Sequence, residues 1–216
     1  MLALSVASSW IILMIRDDIS SKLIHLTKGE SIEDAASIFY KIINSRKLIG
    51  SNGYIKDSFK CVCFSEVPLN ALAQILASPN AHDFRYMPFG IMVEKEWLFL
   101  RGGRPVIYQP DQEYDLLPYE LRYRHVRYEP HRGIDYSWER EWRIWIDELW
   151  LEPDNTTLVV PNREWVYRIK EPYFDDLARQ VYYEGEVTSE IIADFPWHLI
   201  TLEDLGIKID WMENER

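Results

Sequence analysis

The chain alternates short apolar runs of strand length with turn residues and with segments of helical spacing. Runs rich in Val, Ile and aromatic side chains are typical of strands. They predict strands over 22–27, 60–66, 89–94, 105–109, 139–147 and 156–161. We also predict helices over 31–47, 68–77 and 95–102, the first with Ser31 as N-cap and Asp34 at the capping-box position. The pattern therefore predicts an α+β fold with a mixed sheet core and flanking helices.

The most unusual of these strands contains the stretch "DYSWEREWRIW". Side chains alternate between the two faces of a strand, so Glu139, Glu141 and Arg143 are expected on one face. Burying two carboxylates and a guanidinium is costly without partners. The row therefore either lines a cleft or forms an exposed, self-paired ladder, and the sequence leaves both interpretations open.

Charge and cysteine content restrict the class of protein. The formal net charge of the 216 residues is −11. Residues 1–110 carry 12 Lys and Arg against 10 Asp and Glu, whereas residues 111–216 carry 12 against 25. This acidity argues against nonspecific coating of DNA. Cys61 and Cys63 have poor spacing for a disulfide and are too few for a zinc site, so we expect reduced thiols, a cytoplasmic location and no metal.

The N-terminal stretch "MLALSVASSWIILMI" is apolar but lacks the basic start of a signal peptide and is short for a membrane span. Residues 1–13 are interpretable as extra translated sequence before Met14. The chain contains no internal repeat or linker, so we predict one domain over 1–216, with no membrane association.

Four sequence blocks occur in the order "KCVCFSEVPL", "FGIMVEKEWL", "GGRPVIYQ" and "YSWEREWRI". Together with the earlier "LIHLT", they make most of residues 23–161 similar to the AbiGi family of abortive-infection, or phage-resistance, proteins. This resemblance implies a role in bacterial antiviral defence and a toxin–antitoxin setting with a cognate toxin or antitoxin partner.

A more distant resemblance suggests a chemistry. A His-containing strand, a helix, a glycine turn, the "CFS" strand and a late E-x-E strand follow the order of the ADP-ribosyltransferase core, which includes toxins that modify nucleic acids. The resemblance implies a mostly antiparallel ADP-ribosyltransferase-like sheet and NAD as substrate. It implies that His25 contacts NAD and that Ser65, with Tyr54 or Phe64 as the stacking residue, supports the nicotinamide. Glu141 would then be catalytic, with Glu139 as the first glutamate of the pair.

These assignments agree with the chemistry of NAD cleavage. Breaking the bond between nicotinamide and ribose leaves a positively charged ribose, which a carboxylate such as Glu141 stabilises. A second carboxylate on the same strand face, Glu139, can accept the proton of the attacking group. Arg143 can hold Glu141 in its ionised form or contact a phosphate of NAD.

The segment 121–138 precedes the glutamate strand and combines basic with aromatic residues. If it forms a strand, Arg122 and Arg124 share one face, and together with Arg127 they predict a surface that binds a single-stranded nucleic acid target. The alternative is that these arginines neutralise the acidic half of the chain.

Three hypotheses follow. The chain is an NAD-dependent ADP-ribosyltransferase that modifies a nucleic acid or protein target, a non-catalytic antitoxin-like component that acts by protein contact, or a nucleic-acid-binding module. His25 separates them in part, because a lone histidine between Ile24 and Leu26 also fits a buried core position. The first hypothesis requires His25, Ser65 and Glu141 to converge on one cleft.

Overall fold

The computed structural model describes residues 20–53, 55–69, 71, 72, 76, 86–183 and 195–209. These residues form one domain of mixed α and β structure, which confirms the predicted α+β class. The strands are β1 (Lys22–Lys28), β2 (Lys47–Ile49), β3 (Cys61–Ser65), β4 (Tyr86–Glu94), β5 (Arg104–Pro105), β6 (Ile107–Gln109), β7 (His125–Arg127), β8 (Glu141–Trp145), β9 (Glu148–Trp150), β10 (Thr156–Val160) and β11 (His198–Thr201). The helices are α1 (Ile32–Ser45), α2 (Lys95–Leu100), α3 (Tyr119–Arg122) and α4 (Arg163–Tyr183).

Seven strands form the main sheet in the order β11-β10-β4-β1-β3-β8-β5. Neighbouring strands are antiparallel, except that β11 runs parallel to β10. Two small sheets flank it, the antiparallel pair β2–β9 and the parallel pair β6–β7. The sheet is therefore mostly antiparallel, as predicted.

The two faces of the main sheet have different environments. On one, which we call the α1 face, Leu23, Phe89 and Trp142 belong to the largest apolar core together with Phe39 of α1 and Trp165 of α4. On the other, which we call the Glu141 face, Ile24, Leu26 and Val159 pack with Leu72 and Leu76, and the strands β3 and β8 contribute Ser65, Cys63, Glu141 and Arg143. The polar residues of the sheet thus lie beside a second, smaller apolar core.

Helix α1 forms where its sequence predicts it. The Ser31 hydroxyl accepts a hydrogen bond from the Asp34 backbone N–H at 3.1 Å, so the predicted N-cap is confirmed. Ala35, Phe39 and Ile43 recur at intervals of four residues and face the core. The helix ends at Ser45 because Arg46 adopts a left-handed conformation with φ 53°, and the chain continues into β2.

The predicted strand at 139–147 is shorter in the structure. A 3-10 turn covers Ser137–Glu139, and Arg140 has a φ of 45°, which interrupts extended geometry before Glu141. Glu139 therefore does not belong to β8. The region 121–138 likewise does not form the alternating strand considered above, because it contains the end of α3, the short strand β7 and two 3-10 turns.

Other predictions lie partly outside the described residues. Half of the predicted helix over 68–77 and all of the predicted N-terminal extension over 1–13 are in this category. No helix in the described part of the chain is long and apolar enough to cross a membrane.

Candidate active site on the Glu141 face

Pairing between β3 and β8 places the polar residues next to one another. Ser65 lies opposite Glu141, and Cys63 lies opposite Arg143. Residues that pair across antiparallel strands project from the same face of the sheet. The predicted grouping of Glu141 with Arg143 on one face is therefore present, and Ser65 joins it.

Arg143 and Glu141 form a bidentate ion pair. The Nε and Nη2 atoms of Arg143 donate to the two carboxylate oxygens of Glu141 at 2.8 and 3.0 Å. The Nη1 atom donates to the backbone oxygens of Tyr123 and His125 at 2.9 and 3.0 Å. Arg143 is only 8% exposed. The row is therefore not a solvent-exposed ladder, and the guanidinium is committed to holding Glu141 rather than being directed to solvent or a phosphate.

The backbone holds Glu139 close to this pair despite its position outside β8. The Ser65 hydroxyl donates to the Glu139 carbonyl oxygen at 2.6 Å and accepts from the Val67 N–H at 3.2 Å. The Tyr86 hydroxyl donates to Glu139 Oε1 at 3.4 Å. Ser65 thus acts on the backbone that positions Glu139, and its hydroxyl hydrogen is used for that contact.

The two glutamates have different electrostatic environments. Burial and, after it, the neighbouring charge of Glu141 together raise the pKa of Glu139 to about 7, and Lys28 opposes the shift. Glu141, in contrast, has its charge compensated by Arg143. A carboxyl group with a pKa near neutrality can both release and accept a proton under physiological conditions. The arrangement therefore provides one proton-exchanging carboxyl next to one ion-paired carboxylate.

Three further residues complete the site, and none of them was predicted from the sequence. Burial, followed by the charges of Glu139 and Glu141, raises the pKa of Tyr86, so its phenol remains a hydrogen-bond donor. The Tyr108 hydroxyl accepts from the Glu141 N–H at 3.1 Å. The Lys28 ammonium lies 4.7 Å from the centre of the Tyr86 ring. The sequence predicts that Lys28 shares a face of β1 with Ile24, because the two residues are an even number of positions apart. The sequence does not predict Tyr86 and Tyr108, because they reach the site only through long-range strand pairing.

Cys63 also contacts this site but is not a nucleophile. Burial raises the pKa of its thiol, and the adjacent carboxylate of Glu141, to which the thiol is hydrogen-bonded, acts in the same direction. The thiolate, which is the reactive form, is therefore disfavoured.

His25 is not brought together with Glu141. It pairs with Ile91, a residue of the main core, and therefore projects from the α1 face, opposite to Glu141. Its Nδ1 atom lies 2.8 Å from the Cys63 carbonyl oxygen, and its ring meets Phe64 edge-on at 5.9 Å. Burial lowers the pKa of this imidazole, so a neutral ring with a proton on Nδ1 fits the contact. This environment is that of a satisfied core histidine.

The remaining predicted NAD contacts do not join the site either. Phe64 is buried in the main core, so it offers no ring for stacking. Tyr54 lies outside the described residues. Among the described residues, no group of three His, Cys, Asp or Glu side chains is placed to hold a metal ion.

Two of the three arginines predicted to bind a target have acidic partners. Arg122 lies within 3.6 Å of Asp57 and 3.5 Å of Asp115, and Arg127 lies 2.7 Å from Glu129. Arg124 differs, because its Nε atom donates to the Pro105 carbonyl oxygen at 2.9 Å. For Arg122 and Arg127 this geometry favours the alternative in which they neutralise nearby acidic residues.

No family model, curated protein or solved structure was found to match this chain.

Proposed function

We propose that the chain is an NAD-dependent ADP-ribosyltransferase whose catalytic residues are Glu141 and Glu139. The observation that carries this proposal is the pair of neighbouring carboxyl groups with unequal environments, one ion-paired with Arg143 and one with a pKa of about 7. Such a pair suits a reaction that needs a stabilising negative charge and a proton acceptor side by side. In this proposal the mostly antiparallel sheet is ADP-ribosyltransferase-like.

Each carboxyl group has a defined part in the reaction. The bond between the ribose C1′ atom and the nicotinamide nitrogen breaks, and nicotinamide leaves with the bonding electron pair. Glu141 stabilises the positive charge that develops on the ribose, because its carboxylate oxygens retain lone pairs beyond those used by Arg143. A nucleophilic atom of the target then bonds to C1′, and Glu139 accepts the proton that this atom releases.

Lys28 replaces His25 in this proposal as the basic residue of β1 that contacts NAD. It lies on the Glu141 face, close enough to Glu139 to oppose the rise of its pKa. An exposed ammonium group beside the carboxyl pair suits the diphosphate of NAD. In this proposal His25 keeps its part-buried hydrogen bond to the Cys63 carbonyl oxygen and takes no part in binding.

The decisive experiment is incubation of the wild type and of Glu141→Gln with labelled NAD, in the presence of protein, DNA or RNA. We expect label transfer by the wild type and none by the variant, since the change removes the charge and little else. Glu96→Gln, an exposed glutamate on α2, is the matched control and should retain activity. Transfer by Glu141→Gln at a rate near that of the wild type would show that Glu141 is not catalytic.

We further propose, from the resemblance to AbiGi proteins, that this activity belongs to a cytoplasmic anti-phage system in which uncontrolled transfer arrests growth. Expression of the wild type should then slow growth, and Glu141→Gln should remove the effect. If neither protein consumes NAD and the wild type instead protects cells from a co-expressed toxin, the antitoxin-like alternative replaces this proposal.

A further inference from the structure

An exposed aromatic cluster lies on the Glu141 face beyond the carboxyl pair. Trp145 is 47% exposed and Tyr119 is 54% exposed. Their rings rest on the buried Phe59, whose centre lies 4.7 Å from that of Trp145 and 5.1 Å from that of Tyr119, while Tyr123 packs 6.0 Å from Trp145. We call these four residues the aromatic platform. Because buried rings fix the exposed ones, a ligand that stacks on them has little side-chain motion to restrict.

The aromatic platform lies on the same strand face as the proposed active site. Every second residue of β8 projects from one face, and these residues are Glu141, Arg143 and Trp145. Trp145 is four residues after Glu141, so it lies about 13 Å from it along the strand. Arg143 bridges the two regions, since it binds Glu141 on one side and the Tyr123 carbonyl oxygen on the other.

Two arginines border the platform. Arg104 lies opposite Arg143 in the pairing of β5 with β8, and Arg124 directly follows Tyr123 in the chain. Arg104 donates to the carbonyl oxygens of Phe99 and Gly103, and Arg124 donates to that of Pro105. Within the described residues neither guanidinium has a carboxylate at ion-pair distance. Carbonyl partners orient a guanidinium but leave its charge, so this surface is complementary to phosphate groups.

We propose that the aromatic platform, with Arg104 and Arg124, binds a single-stranded nucleic acid. Bases stack on Trp145 and Tyr119, and the phosphates between them contact the two guanidinium groups. Stacking accepts any base, so the surface has little sequence preference. The proposal that this surface binds nucleic acid depends on these residues alone. The further proposal that the bound strand accepts ADP-ribose rests on the proposed function.

Stacking is tested by fluorescence anisotropy with labelled oligothymidylate and oligouridylate, without NAD. Trp145→Ala should weaken binding by between about 5-fold and 100-fold, and Trp145→Phe should retain most of it. The matched control is Trp150→Ala, because Trp150 is 60% exposed on β9 and carries Lys47 at 5.4 Å from its ring. Equal weakening by Trp145→Ala and Trp150→Ala, or no binding by the wild type to either oligonucleotide, overturns the proposal.

Charge is tested through the dependence of affinity on salt. Arg104→Met with Arg124→Met should lower the slope of log affinity against log salt by about 1.4, since each phosphate contact contributes ~0.7 on a single strand. The ion-paired Arg122 and Arg127, changed together to Met, should leave the slope unchanged. Circular dichroism melting curves show whether each variant is folded. If Trp145→Ala is unfolded, the salt dependence of the Arg104→Met, Arg124→Met double variant decides whether the proposal holds.

One variant separates this inference from the proposed function. Glu141→Gln should bind oligonucleotides as the wild type does while losing label transfer. Binding without any transfer by the wild type keeps the inference and contradicts the enzyme proposal. Label transfer to a protein by a wild type that binds neither oligonucleotide keeps the enzyme proposal and overturns the inference.

Discussion

Replacing Glu139 by glutamine should stabilise the folded protein at about pH 8 and change its stability little at about pH 4.5. The folded protein holds the proton of Glu139 more tightly than the unfolded chain, because burial raises the pKa from 4.5 to about 7. Stability that is present below pH 4.5 is therefore lost as the pH rises to 7 and remains lost above it. Glutamine has no charge to bury, so the variant avoids this loss.

The pKa change sets the expected size of the effect. A rise from 4.5 to about 7 corresponds to ~3 kcal/mol of free energy of unfolding. The side chain keeps some contact with solvent, so we expect a gain of about 2–3 kcal/mol for Glu139→Gln above neutral pH. A single substitution rarely raises the free energy of unfolding by this much.

Urea denaturation of both proteins at several pH values measures this gain as the difference in free energy of unfolding. Taking the difference removes the contributions of all other titrating groups. Glu96→Gln controls for the substitution itself at an exposed helix position. A difference that stays the same from about pH 4.5 to about pH 8 would refute the reasoning, because Glu139 would then titrate alike in both states.

Four other outcomes are expected. Arg143→Met leaves the Glu141 carboxylate without its partner and should lower the free energy of unfolding by about 3–5 kcal/mol in urea, whereas a loss below ~1 kcal/mol would contradict a buried pair. His25→Ala should lower the melting temperature by about 4–8 °C with NAD affinity unchanged by calorimetry, and the reverse result would restore His25 as an NAD contact. Lys28→Met should weaken NAD binding by roughly tenfold at unchanged melting temperature, and equal affinity for NAD would remove Lys28 from the site. The rate of label transfer should rise as the pH passes about 7 and then level off, since Glu139 accepts a proton only when ionised; a flat profile would exclude it as the base.

Local sequence patterns predict those parts of the fold that depend on neighbouring residues. Ser31 identifies the start of α1 because an N-cap acts within one turn of helix. The alternation of β8 brings Glu141 and Arg143 to one face because the period of a strand is two residues. The central strands β1, β3 and β10 follow from β-branched and aromatic runs in the same way.

The parts that the sequence did not predict depend on long-range pairing or on one exceptional backbone angle. The alternation of side chains along β1 predicts that His25 and Ile24 lie on opposite faces of the sheet. It does not predict which of these faces carries Glu141. That follows only from the strand pairing, in which Ile24 lies opposite Ser65 and Ser65 lies opposite Glu141. The left-handed conformation of Arg140 has no signal in the sequence, because it occurs in a residue other than glycine. The exposure of Trp145 has no signal in the local sequence either, since large aromatic residues are mostly buried.

The turn at Arg140 explains why the two glutamates differ. In a continuous strand Glu139 would precede Glu141 on the same face, at the regular spacing that places Arg143 against Glu141. The φ of 45° at Arg140 removes Glu139 from that row and turns its carboxyl group towards the Tyr86 hydroxyl. A phenol donates one hydrogen bond but brings no positive charge, so it does not offset the cost of burying a carboxylate. Arg143 thus forms its ion pair with Glu141, and the backbone turn leaves Glu139 with the pKa of about 7 that suits proton transfer.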